Sequence, residues 1–249
     1  TIEPGAPNVR HQPFHLAAWI GRLQCADVVP EVFHLLRWPT SGDGELRRTT
    51  GISLLRPAGK GWDGLVWAAV QSGSNEDRIR AHAVALRLGY TWDMPMRPRI
   101  AAEWNHMSGD HDPDDGRKGT FDGLYGSTAQ YDGQMNLMTP KNLDELSTML
   151  EVRLVSSLRV TGELHHFRLA EARDAWYGYD RQPLRHDPSG TAGPELGTEV
   201  DLVLKWEPAH RHMSVQCGGG RFWPRTFLRR TEGGSRPANW LFAQIEWRW

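Results

Sequence analysis

Basic side chains occur in this sequence at positions that alternate with apolar residues, and they are the side chains best suited to bind a ligand. Arginine presents a planar fork that binds a carboxylate through two hydrogen bonds, and lysine adds a mobile point charge. In extended segments, alternation places six of them on one face: Arg87, Arg99, Arg153, Arg159, Lys205 and Arg248. A row of this kind predicts the binding of a solute that carries several negative charges.

Acidic side chains fall on the same predicted face. They are Glu103, Glu151, Glu163, Asp201 and Glu246, so that six positive charges minus five negative charges leave a net charge of +1. Two interpretations follow from the presence of both charges on this face. Either the basic residues line a path for an anionic solute, or the two signs form cross-strand ion pairs that brace the face.

An acidic segment offers a second candidate site, because four acidic residues lie within the six positions from Asp110 to Asp115. Clusters of carboxylates can bind calcium. An EF-hand loop that opened at Asp110 would require glycine at its sixth position and glutamate at its twelfth. The sequence has Asp115 and Phe121 at those positions, so a solvated, turn-rich loop is the favoured interpretation.

Glu163, His165 and His166 suggest a metal or hydrolase site. Adjacent residues of a strand point to opposite faces, so the two histidines cannot share one site. Glu163 and His165 can lie together, but two polar groups do not make the nucleophile, base and orienting group of a hydrolase. From the sequence we therefore predict that the protein is not an enzyme and that it binds neither a cofactor nor a metal ion.

The segments that would carry these residues alternate between apolar and polar side chains, as expected for β-strands between two environments. In the last of them, one side carries Leu241, Ala243, Ile245, Trp247 and Trp249. Aliphatic side chains that end in aromatic ones are typical of a strand in a membrane β-barrel. The ten predicted strands are 13–24, 46–55, 62–72, 79–91, 97–107, 146–155, 157–168, 198–207, 211–221 and 240–249.

The connections between these segments differ in length in a regular way. Short links are predicted at 56–61, 91–96, near Ser156 and at 207–210. Long links are predicted at 25–45, 108–145, 169–197 and 222–239. One short link, 73–78, lies where the alternation would place a long one. Outer-membrane barrels have short periplasmic turns and long extracellular loops, so this pattern favours such a barrel.

Composition excludes several other classes of protein. Hydrophobic residues make up 39% of the 249 residues, and no run approaches the roughly 18 apolar residues of a transmembrane helix. The formal charge of −1 argues against a nucleic-acid partner. Cys25 and Cys217 are predicted to be free thiols. Twelve tryptophans fit either the aromatic girdles of a barrel or platforms that stack on sugars.

The loop after the fifth predicted strand contains Gly109-Asp110, Pro113, Asp115-Gly116 and Gly119-Thr120-Phe121. It is preceded by Met96-Arg97-Pro98-Arg99 and followed by Asp174-Ala175-Trp176-Tyr177-Gly178 and Leu196-Gly197-Thr198-Glu199-Val200-Asp201-Leu202. In this order, these motifs resemble those of the alginate export family of outer-membrane proteins. The resemblance extends over most of 60–249. It implies a monomeric β-barrel in the bacterial outer membrane that passes an anionic, alginate-like polysaccharide or related small anionic solutes.

We therefore expect residues 1–249 to form a single all-β domain, an antiparallel transmembrane β-barrel of about ten strands in this chain. The family's barrel is longer, so the chain would be the C-terminal part of a longer barrel or would close as a smaller one. It would act as an outer-membrane channel with the six basic residues in its lumen. Two alternatives remain: a soluble carbohydrate-binding β-sandwich, and an outer-membrane barrel enzyme that acts on lipid.

Overall fold

The computed structural model describes residues 14–40, 44–74, 76–123, 133–178, 181–208 and 212–247. Within them the chain is built almost entirely of β-strands, with one short helix, α1 (Thr226–Arg230). The strands are β1 (Phe14–Arg22), β2 (Val29–Pro39), β3 (Leu46–Arg56), β4 (Gly61–Ser74), β5 (Arg78–Thr91), β6 (Arg99–Met107), β7 (Arg117–Lys118), β8 (Leu143–Val155), β9 (Leu158–Arg168), β10 (Trp176–Tyr177), β11 (Pro183–Arg185), β12 (Glu195–Trp206), β13 (Met213–Pro224) and β14 (Ala238–Trp247). No helix of the described residues has the length and apolar character needed to cross a membrane.

Twelve strands form one sheet, in which β1, β2, β3, β4, β5, β6, β8, β9, β12, β13 and β14 lie side by side in that order. Every neighbouring pair in this series is antiparallel. The short strand β7 pairs in parallel with β5, and β10 and β11 form a separate hairpin. In the described part of the chain, no ladder joins β1 to β14. The predicted antiparallel all-β architecture is thus confirmed.

Alternation along each strand gives the sheet two chemically different faces. In β12, Glu199 and Asp201 are buried on one face, whereas Val200 and Leu202 are exposed on the other. Residues directly opposite each other in an antiparallel pair share a face, so the register extends this division across the series. We refer to the face of Asp201 as the polar face and to the face of Leu202 as the apolar face.

The apolar face is uncovered in the described structure. Leu241 is 84% exposed and Ile245 is 71% exposed, although burial of such side chains is normally favourable. Further large exposed side chains lie on this face along successive strands: Trp19, Val32, Ile52, Val66, Leu88, Ile100, Leu150, Leu164 and Leu202. A soluble monomer rarely exposes a patch of this extent, so the face requires either a partner or an apolar solvent.

The connections sort by length to the two ends of the strands. The turn end carries only short connections, namely 23–28, 57–60, 92–98, 156–157 and 207–212. The loop end carries the connections 40–45, 75–77, 108–142, 169–194 and 225–237. All three long connections therefore lie at the loop end, which agrees with the pattern that the sequence predicts.

One predicted long link is wrong. The sequence predicts a loop over 25–45, but this segment contains β2, which is joined to β1 and β3 by short connections. The additional strand means that β1 runs from the loop end to the turn end. The pattern missed β2 because its polar face carries Phe33 and Leu35, while its apolar face carries Val32 and Leu36. Without alternation, a strand has no periodic signature.

The hydrophobic core lies on the polar face at the loop end, beneath the long connections. Phe33 and Trp67 stack there with their ring centroids 5.8 Å apart. Phe121, from the connection 108–142, meets Trp67 edge-on with ring centroids 6.3 Å apart. Met138 of the same connection is completely buried. The connection is therefore held against the polar face, and its polar residues reach the candidate site.

Candidate functional site

The predicted basic residues that the structure describes line two cavities on the polar face. The first has a volume of about 500 Å³, and its lining includes Arg87, Arg99 and Arg159. The second has a volume of about 780 Å³, lies at the turn end, and includes Arg153, Arg159 and Lys205 in its lining. Arg159 contributes to both cavities, so the predicted residues form one continuous lining.

Ion pairs brace the first cavity. Arg99 donates two hydrogen bonds to Asp63, from Nη2 to Oδ1 at 2.6 Å and from Nε to Oδ2 at 3.0 Å. A Cβ atom on Gly89 would fall 2.5 Å from the Arg99 guanidinium, so glycine provides the space for this pair. Arg87 lies 3.6 Å from Glu103. Cross-strand ion pairing of this kind fits the bracing interpretation of this part of the face.

The second cavity has a different charge pattern. Arg153 lies directly opposite Arg159, and Arg159 lies directly opposite Lys205, so these three residues form a basic row across β8, β9 and β12. Like charges in directly opposed pairs destabilise a sheet. Arg159 lies 3.6 Å from Glu151, and Lys205 lies 3.2 Å from Glu207. The cavity lining holds three basic residues and one acidic residue, Glu207, which gives a net charge of +2.

An acidic cluster lies on the polar face closer to the loop end. Asp201 lies directly opposite Glu163 across β12 and β9. The Nε2 atom of His165 is 3.8 Å from Asp201 Oδ2 and 3.9 Å from Glu163 Oε2. Its Nδ1 atom is 2.6 Å from Glu145 Oε1. Glu163 and His165 therefore lie together as the sequence predicts, and His166 lies on the opposite face.

The connection 108–142 contacts the polar face at two separate places. The backbone N–H of Asp122 donates to Gln71 Oε1 at 2.9 Å, and its carbonyl accepts from Gln71 Nε2 at 2.7 Å. Further along, Gln134 Nε2 donates to Glu163 Oε2 at 3.0 Å. Gln71 belongs to β4 and Glu163 to β9, so the two contacts are on well-separated strands. Gln134 also lines the first cavity.

Charged side chains clamp the same connection at the loop end. Glu45, which precedes β3, forms ion pairs with Arg37 and Arg47. Arg37 also lies 3.3 Å from the carboxylate of Asp122. Burial acts to raise the pKa of Glu45, but the hydrogen bonds and positive charges of Arg47 and Arg37 outweigh it and lower this pKa to about 2. The carboxylate therefore stays ionised in mild acid.

We expect this clamp to make the docking of the connection dependent on pH. A lowered folded-state pKa stabilises the folded form above the ordinary value of 4.5, and this contribution is lost as the pH falls through about 2. Glu45→Gln is expected to weaken docking by about 2 kcal/mol, allowing for solvent screening, and to remove this pH dependence. At pH 3, which lies between the two pKa values, less than half of this contribution remains, so pepsin cleavage after Phe121 should be about fourfold faster than in the wild type.

The control for this experiment is Glu76→Gln, because Glu76 is exposed at the same end of the sheet. This variant is expected to be cleaved at the wild-type rate at every pH. If the two variants are equally susceptible to pepsin at pH 3, Glu45 does not hold the connection in place.

The motif residues of the two longest connections converge on Asp174. Its Oδ2 atom accepts hydrogen bonds from the backbone N–H of Asp110 at 2.8 Å and from the Thr120 hydroxyl at 2.6 Å. Its Oδ1 atom accepts a hydrogen bond from the Tyr177 hydroxyl at 2.8 Å. Burial and the charge of Asp174 raise the pKa of Tyr177 above its usual range, and they also raise that of Asp110. These contacts join the two connections to each other.

The motif residues thus share a structural role, and a comparison with protein families matches the chain that carries them to one family. The alginate export family matches residues 36–242 of the chain. The chain belongs to the alginate export family. Members of this family are outer-membrane transport channels rather than enzymes. A search of curated proteins finds no match.

In this alginate export protein, the acidic segment 110–115 forms hydrogen-bonded turns. Asp112 Oδ1 accepts a hydrogen bond from the backbone N–H of Asp114 at 3.1 Å. Asp115 Oδ1 accepts one from the backbone N–H of Arg117 at 2.8 Å. Aspartate side chains commonly bind the backbone two residues ahead in this way. The geometry agrees with the turn-rich interpretation of the segment.

Several partners of the predicted residues were not identified from the sequence of this alginate export protein. Asp63 lies in a predicted strand, and its position in the alternation places it on the same face as Arg99, so a signal was present. Gln134, the partner of Glu163 and Asp201, comes from a long connection without periodicity, and nothing local brings it to the face. The sixth predicted basic residue, Arg248, lies outside the described residues.

Proposed function

We propose that this alginate export family protein is an outer-membrane channel for an anionic polysaccharide or for related small anionic solutes. The apolar face contacts lipid and the polar face lines a lumen, with the turn end in the periplasm and the loop end outside the cell. Residues 1–249 form one barrel domain or the C-terminal part of a longer barrel, which acts as a monomer. Solutes pass by diffusion, without a cofactor or a covalent step.

The observation that carries this proposal is the basic row of Arg153, Arg159 and Lys205 at the turn end. Directly opposed like charges cost stability, and two acidic neighbours offset the three basic residues only in part, so the row favours a role in binding anions. A cavity whose lining has a net positive charge, between low-dielectric walls, concentrates anions. An anionic polymer that arrives from the periplasm would meet this row first.

The first cavity supports release of the solute after entry. There, Arg87 lies 3.6 Å from Glu103, and Arg99 donates two hydrogen bonds to Asp63. An arginine that already has an acidic partner attracts a passing carboxylate less strongly than an unpaired one. Conduction requires binding that is favourable enough for entry and weak enough for exit. The change from a cavity whose lining has a net positive charge to one whose arginines are paired with acidic residues meets both requirements.

Planar-bilayer recordings test this proposal. We expect the inserted protein to conduct anions in preference to cations, and polyuronate added at the turn end to block the current. An uncharged glucan of similar length is the control and should not block. Folded, inserted protein without conductance would exclude a channel, and equal block by both polymers would exclude anion recognition. A chain that stays monomeric and folded without detergent would exclude the membrane location.

A further inference from the structure

We propose that the acidic cluster binds one divalent metal ion of the class represented by Zn²⁺, through His165, Glu163 and Asp201. Each of these side chains offers one ligand atom, and the three atoms lie within 4.8 Å of one another. They belong to β9 and β12, on the polar face, and are distinct from the basic row. The site goes beyond the transport proposed above and does not depend on it.

The imidazole of His165 is oriented for metal binding. Its Nδ1 atom lies 2.6 Å from Glu145 Oε1, and because an ionised carboxylate can only accept, this contact places a proton on Nδ1. In the neutral imidazole, which is the form that binds metals, Nε2 then carries the lone pair, and histidines that bind metals almost always donate their other N–H to such a partner. The side chain is only 9% exposed, and Nε2 has no hydrogen-bond partner among the described residues.

The distances fit a shared ion. The Nε2 atom of His165 lies 3.8 Å from Asp201 Oδ2 and 3.9 Å from Glu163 Oε2. Zinc binds nitrogen and carboxylate oxygen at about 2.0–2.2 Å, so two ligands of one ion lie at most about 4.2 Å apart. Both separations are within this limit. Glu163 is the most exposed of the three, at 19%, so a small rotation of its side chain completes the site.

The charge of the cluster also favours a cation. Glu163 and Asp201 are directly opposed across two strands, which is unfavourable for like charges. Among the described ion pairs, His165 is the shared partner of Glu145, Glu163 and Asp201. One buried oxygen of Asp201 and one of Glu199 have no hydrogen-bond partner in the described structure. An imidazolium would match one of these negative charges, whereas a divalent ion supplies two positive charges.

The ion would lie directly beneath the connection 108–142. Gln134 donates from Nε2 to Glu163 Oε2 at 3.0 Å and from its backbone N–H to Asp201 Oδ2 at 3.4 Å. These are the two oxygens that face His165. A bound ion would hold both carboxylates in place for these hydrogen bonds, because an ionised carboxylate oxygen has a second lone pair. The metal would thereby link the connection to β9 and β12.

The mixed donor set selects among metals. An imidazole nitrogen with carboxylate oxygens suits Zn²⁺ and related transition metals, whereas Mg²⁺ and Ca²⁺ prefer ligands that are all oxygen. We therefore expect metal-stripped, untagged full chain in detergent micelles to bind one Zn²⁺ per chain in a calorimetric titration. An equal concentration of Mg²⁺ should not displace it.

Four variants test the assignment of the ligands. His165→Gln and Asp201→Asn are each expected to weaken Zn²⁺ binding by at least about 100-fold, because each removes a ligand. Glu145→Gln is expected to weaken it by about 10- to 100-fold, because Glu145 orients the imidazole without touching the ion. Glu103→Gln is the matched control, since Glu103 lines the same cavity outside the ligand set, and binding should not change.

Two outcomes would overturn the metal site. The first is wild-type protein that binds no Zn²⁺ at micromolar concentration, in which case His165 is an imidazolium among acids. The second is binding that is undiminished in both ligand variants, which would place the ion elsewhere. Co²⁺ bound to the wild type provides a measurement that does not depend on the folding of any variant. Its visible absorption bands should appear with one equivalent and disappear on addition of Zn²⁺, and their absence would also overturn the site.

Discussion

Cys217→Arg is expected to lower the membrane-inserted fraction of this protein sharply, whereas Gln216→Arg should lower it much less, because its repulsion from Lys205 costs at most about 1 kcal/mol. The two neighbours lie near the middle of β13 and point to opposite faces. Gln216 is opposite Lys205 and Gln244 on the polar face, and Cys217 is opposite Ala243 on the apolar face. An arginine on the lipid face near the bilayer midplane costs about 2–4 kcal/mol, whereas one in an aqueous lumen keeps its hydration.

Folding into lipid vesicles from urea measures this difference, with the heat-dependent electrophoretic migration of folded barrels as the readout. The pair is well controlled, because the same side chain is introduced at adjacent positions. Cys217 is free and already exposed, so in a soluble β-sandwich an arginine there would cost little. Equal insertion of the two variants would therefore show that the apolar face does not contact lipid.

The two faces of the sheet could be predicted from the sequence because alternation records two environments along one strand. Asp201 and Ile245 were placed on the correct faces in this way. The same logic fails for β2, where Phe33 is apolar on the polar face. Phe33 stacks on Trp67, and Trp67 is covered by Phe121 from a distant connection. A contact between residues so far apart in sequence leaves no periodic signal in either segment.

The sequence indicates which basic residues share a face, but not which of them lie opposite one another. Alternation placed Arg153, Arg159 and Lys205 on one face, but the register of strand pairing decides which residues lie opposite one another. The basic row is thus a property of three strands together. Glu145 was missed for a simpler reason: the strand that carries it begins at Leu143, whereas the predicted strand began after Glu145.

Removal of the basic row is expected to reverse the ionic selectivity of the channel and to weaken its block by polyuronate about 100-fold. The triple variant Arg153→Gln, Arg159→Gln, Lys205→Gln leaves Glu207 as the charged residue of the cavity lining, so its charge changes from +2 to −1. One charge pair at close range contributes about 1 kcal/mol in a water-like medium, so three contribute about 3 kcal/mol. Reversal potentials in a salt gradient and the concentration of polymer that halves the current measure the two effects.

The control is Lys60→Gln, because Lys60 lies at the same end of the sheet but outside the cavity, where it pairs with Asp93 at 2.5 Å. Selectivity should not change in this variant. The effect of the triple variant should decrease from 0.1 M to 1 M salt, as the Debye length falls from about 10 Å to about 3 Å. If the basic residues only brace the wall, the triple variant should instead be less stable to urea, because the pairs of Arg159 with Glu151 and of Lys205 with Glu207 are lost, and its selectivity should not change. Measurements of stability and selectivity on the same protein therefore distinguish a basic row that binds passing anions from one that only stabilises the wall.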